Sequence, residues 1–213
     1  MTVPAWLAPL AAAASAVRAE DLSRFTPPAQ GARDSAVLVL LGEGPLGPDV
    51  LLIERAASLR EHAGQPAFPG GALDPGETAV AAALREAQEE TGLDPAGVEV
   101  LAALPALFIP FSGYAVVPVL GWWERPTAVG PVDQGEVAAV VRVPLAELLA
   151  PPARVRVRHP SGWIGPAFEV RGLLIWGFTA GLLTRLLEIG GLDPDPGVPD
   201  APLRDLPVLQ ARR

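Results

Sequence analysis

The sequence predicts an α/β protein, a mixed β-sheet flanked by helices. Short apolar runs of strand length, bounded by glycine, proline or charge, recur along the chain. They are interleaved with longer stretches whose apolar residues return at helical spacing, and no internal repeat interrupts the series. A length of 213 residues fits one ordinary domain with decorated ends.

Taken in order, Trp6, Leu7, Leu10 and Ala14 recur at helical spacing and predict a helix over Ala5–Ala19. Pro27 and Pro28 then enforce an extended linker, so residues 1–31 read as an N-terminal helix and linker. Ala36–Leu41 and Val50–Arg55 are β-like runs around a turn containing Gly44, Pro45, Gly47 and Pro48, the pattern of a hairpin. A long loop over Ala57–Gly76 leads into a helix over Glu77–Thr91, stopped by Gly92, which can take a left-handed C-terminal cap. Val98–Leu104, Tyr114–Trp122 and Glu136–Val143 read as strands, followed by a short helix at Leu145–Leu149 and a strand at Arg154–Arg158. Leu174, Phe178, Leu182 and Leu186 predict a closing helix over Leu173–Leu187. The core domain is expected over 32–189, and the Pro/Gly-rich tail 190–213 is expected to be partly disordered.

Composition narrows the function. Half the residues are hydrophobic, yet no apolar run is long enough to cross a bilayer, so a soluble chain without a membrane partner is expected. The Ala-rich stretch Met1–Ser15 has no Arg or Lys ahead of it and contains Pro4 and Pro9, unlike a secretory signal, and the expected location is cytoplasmic. Without cysteine there are no disulfides, thiolate metal sites or cysteine nucleophiles, so a metal would be held by oxygen or by the two histidines. A net charge of -8 argues against a long nucleic acid as partner.

The informative segment is Gly71–Leu93. On a helix, Glu86, Glu89 and Glu90 stand at i, i+3 and i+4, so their carboxylates converge on one patch. Val80, Leu84, Ala87 and Thr91 form a packing stripe on another side. The like charges repel by on the order of a few tenths of a kcal/mol per pair, a cost that divalent cations would remove. Hard oxygen ligands suit Mg²⁺ or Mn²⁺. Taken alone, the same run also reads as a solvated acidic face with Arg85 as a local ion-pair partner.

Gly71, Glu77, Arg85-Glu86, Glu89-Glu90 and Gly92-Leu93 together resemble the Nudix box at every charged and glycine position. The resemblance implies a Nudix-type α/β/α sandwich with a mixed β-sheet. It also implies a metal-dependent pyrophosphohydrolase in which Glu86, Glu89 and Glu90 ligate Mg²⁺ or Mn²⁺ and Glu77 with Arg85 forms a supporting ion pair. Ala87 departs from the larger aliphatic residue usual there, a matter of core filling.

Upstream, Leu51-Leu52, Arg55, Arg60, Gly64 and Phe68-Pro69-Gly70-Gly71 resemble the signature of the coenzyme A pyrophosphatase branch. The stretch Ile175–Leu183 is similar to that branch too, whereas Ile53 and Ala56 stand where Thr and Ser are usual. This resemblance implies hydrolysis of coenzyme A or its thioesters to adenosine 3',5'-bisphosphate and a 4'-phosphopantetheine product. Arg55, Arg60, Phe68, Gly70 and Gly71 would contact substrate, although each arginine also reads as an ordinary surface ion-pair residue. ADP-ribose or another nucleoside diphosphate derivative is the alternative substrate, and a non-catalytic nucleotide-sensing module is the alternative class.

Glu136 resembles a position from which Nudix proteins bring a further carboxylate, as ligand or general base; a solvated strand-start residue is the other reading. Tyr114, like Phe68, could stack on an adenine or fill core. Arg154, Arg156 and Arg158 read as a half-buried strand in preference to a phosphate site, and His62 as structural in preference to a base. His159, beside Pro160, has no comparable context. A homodimer is a further expectation, with the apolar N-terminal helix contributing to its interface.

Overall fold

In the computed structural model the described residues are 3–28, 30–58, 64–193 and 201–206. Two short helices, α1 (Ala8–Ala14) and α2 (Ala19–Leu22), precede the strands β1 (Arg33–Gly44), β2 (Gly47–Arg55), β3 (Pro66–Ala67) and β4 (Gly70–Ala72). Helix α3 (Ala79–Thr91) follows, then β5 (Val98–Ala103), β6 (Leu107–Ile109), β7 (Tyr114–Trp123) and β8 (Val137–Pro144). The chain continues through α4 (Leu145–Leu149), β9 (Arg154–Arg158), β10 (Ile164–Val170), β11 (Leu173–Ile175), α5 (Gly177–Ile189) and β12 (Leu203–Asp205).

Strands β1 to β8 form one mixed sheet in which β1 and β7 run parallel while the other pairs are antiparallel. Both faces are covered, which explains why β1 is apolar almost throughout instead of alternating. Ala36, Leu38 and Leu40 pack toward α3 with Ala83 and Ala87. Val39 and Leu41 face a second core containing Leu7, just before α1, Leu10 of α1, and Leu182, Leu183 and Leu186 of α5. The α/β/α arrangement follows from these two faces.

The β1–β2 hairpin holds register only from Leu41↔Val50 to Gly44↔Gly47. Beyond that point the strands part, and the segment Pro66–Ala72 enters the fork: β3 pairs with Ile53 and Glu54, and β4 pairs with Ser35 to Val37. The region expected to be a plain loop is therefore partly built into the sheet. Its glycines and prolines carry no alternation, so only backbone pairing reveals those strands.

Several expectations need correction. The first helix is half the expected length, Ala8–Ala14, and its apolar side is turned into the core, with Leu7 and Leu10 at 0% and 1% exposure. Helix α3 begins at Ala79, after Thr78, whose hydroxyl accepts the Ala81 N–H as N-terminal cap. Residues Leu173–Ile175 form a strand, not the first turn of α5, because Leu173 to Ile175 pair with β10. Within the tail, the described residues 201–206 add to the fold: β12 pairs parallel to β9, and Ala201 is buried.

The alternating arginines of β9 hold that tail. Arg154 reaches Asp193 at 2.6 Å, Arg156 donates to the Ala201 carbonyl at 3.2 Å, and Arg158 pairs with Asp205 at 3.2 Å. Their charge thus serves packing of the C-terminal segment. Among the described residues, no helix is long and apolar enough to cross a membrane.

Candidate active site

Helix α3 is set by Thr78 at one end and Gly92 at the other, where φ is 71° and the Gly92 N–H closes on the Gln88 carbonyl. Between these caps the acidic residues occupy distinct environments. Glu89 has a side chain 59% exposed, whereas Glu90 is 8% exposed and lies with Ala83, Ala87 and Thr91 on the buried face. The expected separation of a packing side from a coordinating side fails at Glu90. Val80 and Leu84 are only partly buried, and the small Ala82, Ala83 and Ala87 bring the helix down onto the sheet.

Glu90 meets the fork segment. The Gly70 N–H donates to Glu90 Oε2 at 3.0 Å. Burial pushes the Glu90 carboxyl up to about 7; the Gly70 hydrogen bond and Arg55 oppose the shift, and Glu86 and Glu136 reinforce it. Gly70, Glu86, Arg55 and Glu136 are thereby gathered around one buried carboxylate. A side chain at Gly71 would meet the Glu86 carboxylate, with a Cβ 2.5 Å from its Cδ, so this glycine lets the loop lie against the helix.

Arg85 organises the outer part. Its Nε and Nη2 donate to the two Glu77 carboxylate oxygens at 3.0 Å each, and Nη2 also reaches the Ala72 carbonyl at 3.2 Å. Nη1 donates to Glu86 at 2.9 Å and to Glu89 at 3.0 Å. The Arg85 contact, with the Asp74 N–H, holds the Glu77 carboxyl below its ordinary range. One guanidinium thus joins the loop before α3 to the acidic face of the helix.

Arg55, at the end of β2, is partly exposed, and its buried Nε has no hydrogen-bond partner among the described residues. Glu136 is exposed in the turn before β8; its carbonyl accepts the Ala56 N–H at 2.9 Å, which places it beside the end of β2. Phe68 is a correction: at 3% exposure it belongs to the core, so its ring face is not open to a base. Arg60 and His62 lie outside the described residues.

Among the described residues, no three histidine, aspartate or glutamate side chains stand as a ready ligand shell, because Arg85 draws Glu86 and Glu89 while Gly70 holds Glu90. The donor chemistry nevertheless fits a hard divalent cation. All four candidate donors are carboxyl groups, and two of them, Glu86 and Glu136, raise the pKa of the buried Glu90, a crowding of negative charge that a cation would relieve.

Motif reading missed a cleft of about 500 Å³ beside this site, lined by Arg33, Asp34, Ala72 to Glu77 and Tyr114. Arg33 and Tyr114 are paired across the parallel β1–β7 ladder, and the Arg33 guanidinium lies 4.0 Å from the Tyr114 ring centre. It touches the ion-pair residue Glu77 but not Glu86, Glu89 or Glu90, so it flanks the carboxylate cluster. Nothing in local sequence couples positions 81 residues apart; the parallel register does.

A family model described as NUDIX domain matches residues 32–163. The chain is 42% identical over 166 residues to a Cronobacter sakazakii protein named uncharacterized Nudix hydrolase NudL, covering 74% of this chain and 83% of that one. It is 40% identical over 164 residues to the protein of the same name from Escherichia coli, with the same coverage. Among solved structures, a Nudix hydrolase from M. smegmatis, RenU, is similar in fold, with a TM-score of 0.51 and 24% identity over 78% of this chain and 89% of that one.

Proposed function

Because this chain belongs to the Nudix hydrolase family, we propose that it hydrolyses the diphosphate linkage of coenzyme A or one of its thioesters, giving adenosine 3',5'-bisphosphate and a 4'-phosphopantetheine product. The observation that carries this reading is the Gly70–Glu90 hydrogen bond. It joins the segment resembling the coenzyme A branch, Phe68-Pro69-Gly70-Gly71, directly to the carboxylate helix.

Glu86, Glu89 and Glu90 would hold Mg²⁺ or Mn²⁺. Such a cation, when bound, neutralises phosphate charge and makes water a better nucleophile. The chain supplies the rest. Arg85 fixes Glu86 and Glu89 from one side, and Gly70 fixes Glu90 from the other. Glu136, exposed and adjacent, takes the proton of the attacking water as general base. Arg55, partly exposed at the end of β2, brings its positive charge to a phosphate oxygen. Water attacks phosphorus, the bridging P–O bond breaks, and the departing phosphate monoester leaves without a covalent enzyme intermediate.

Mass-spectrometric product identification after incubation with coenzyme A and, separately, ADP-ribose tests the assignment, each with Mn²⁺, Mg²⁺ or chelator. Metal-dependent adenosine 3',5'-bisphosphate from coenzyme A, with little AMP from ADP-ribose, is expected. The reverse pattern would overturn the substrate and leave the hydrolase. Binding without product from either, across a broad diphosphate panel, would indicate a sensing module.

A further inference from the structure

Phe111 is the most exposed large apolar side chain among the described residues, at 82%, in the turn between β6 and β7. It is not isolated. The Phe111 ring lies 5.6 Å from His159, and His159 stacks on Trp176 at 6.1 Å with an interplanar angle of 29°. Three rings from three separate segments therefore form a continuous aromatic surface with one end open. The Ser161 N–H and hydroxyl both lie against His159 Nδ1, at 3.2 Å and 2.8 Å, and hold the ring in place.

This surface is tied to the active site on both sides. Next to Phe111, the Ser112 carbonyl accepts Arg33 Nη2 at 2.7 Å, and Arg33 covers Tyr114 in the cleft that reaches Glu77. Beyond Trp176, Thr179 donates to the Pro66 carbonyl at 3.3 Å, and Pro66 pairs with Glu54, the residue before Arg55. Phe111 thus stands one residue from a contact with the cleft, and Trp176 three residues from a contact with the fork segment.

We propose that Phe111, His159 and Trp176 form a stacking shelf for the nucleobase of the diphosphate substrate. The proposal rests on the nucleotide-substrate reading above. A base has the flat π-face that an exposed ring accepts; an aliphatic arm has none. Sequence spacing hid the shelf, since its members lie in the β6–β7 turn, the β9–β10 turn and the residue before α5.

Calorimetric titration of the full chain with AMP, and with inorganic pyrophosphate as a base-free control, tests it in Mg²⁺. Phe111→Ala is expected to weaken AMP by about tenfold or more while leaving pyrophosphate affinity and Tm unchanged, and Phe111→Tyr to restore AMP binding. Equal AMP affinity in wild type and Phe111→Ala would overturn the shelf. So would a change of sedimentation coefficient in Phe111→Ala with AMP binding intact, which would make the surface an interface between copies. The two readings fail separately. A chain that binds AMP through Phe111 yet cleaves no diphosphate keeps the shelf and loses the function. One that cleaves coenzyme A with the same KM and AMP affinity in Phe111→Ala keeps the function and loses the shelf.

Discussion

Glu90 Oε2 accepts the backbone N–H of Gly70 at 3.0 Å, so the deepest carboxylate of the acidic helix is fixed by the loop that fills the β1–β2 fork. Neighbouring glutamates consequently differ in character. Glu89 faces solvent and Arg85, whereas Glu90 is a buried carboxyl held against the sheet by one amide. The fork is what makes this possible, because β4 brings Gly70 opposite Val37 on the strand beneath the helix.

Gly70 and Gly71 should fail differently on substitution. Gly70 has φ 156°, and a Cβ there would fall 2.3 Å from the Ala36 carbonyl oxygen and 2.6 Å from Val37 Cα. Those obstacles are backbone, so Gly70→Ala should cost at least about 2 kcal/mol of stability. At Gly71 the obstacle is the Glu86 carboxylate, a movable side-chain end. Gly71→Ala should keep most of the Tm and lose most activity. Thermal melts and turnover of the two variants check this, and a Gly71→Ala enzyme with full activity would contradict it.

The metal-free protein should lose stability as pH rises from about 4.5 to 7. Glu90 titrates near 7 in the fold, above its ordinary 4.5, so in that window the folded chain holds a proton that the unfolded chain has released. The stabilisation is complete below the lower value and is gone above the upper one. Melts in chelator at pH 5 and pH 8 measure the slope, and Glu90→Gln should flatten it. An unchanged slope in that variant would assign the effect elsewhere. Added Mg²⁺ should raise Tm more at pH 8 than at pH 5, since cation binding requires the carboxylate.

The C-terminal segment should be held mainly by its most buried ion pair. Arg154 and Asp193 are each 8% exposed, so Asp193→Ala removes a buried partner from the Arg154 guanidinium and should destabilise the chain by more than the loss of an exposed pair does. Replacing Arg154 by Met in the same chain should recover part of that loss. Arg158→Ala removes a pair with side chains 49% and 74% exposed and should change stability by less than about 1 kcal/mol. Chemical denaturation of the three variants checks the ranking.

Legibility in the sequence followed how local each determinant is. The β1–β2 hairpin, α3 and its Gly92 cap are encoded by spacing within one segment, and the structure places them within a few residues of the expected bounds. Strands β3 and β4 are two and three residues long and exist because the open fork offers unpaired backbone. Strand β10 carries Pro166, β11 continues the helical phase of α5, and β12 pairs with β9, where Arg158 holds Asp205 across 47 residues. Within the site, the Nudix-like spacing gathers Glu77, Arg85, Glu86, Glu89 and Glu90 correctly on one helix and its preceding loop. It does not reveal that Glu90 is buried, that Phe68 is core, or that Arg33 meets Tyr114, because each depends on what the sheet brings alongside.

Turnover of coenzyme A by the wild-type chain and by Glu90→Gln, in Mg²⁺ and with Tm measured in parallel, tests the central claim most directly. The carboxylate helix as the catalytic element predicts chelator-sensitive release of adenosine 3',5'-bisphosphate by the wild type. It predicts a folded variant with activity reduced by on the order of a hundredfold or more. A folded Glu90→Gln protein that turns over at the wild-type rate would contradict it.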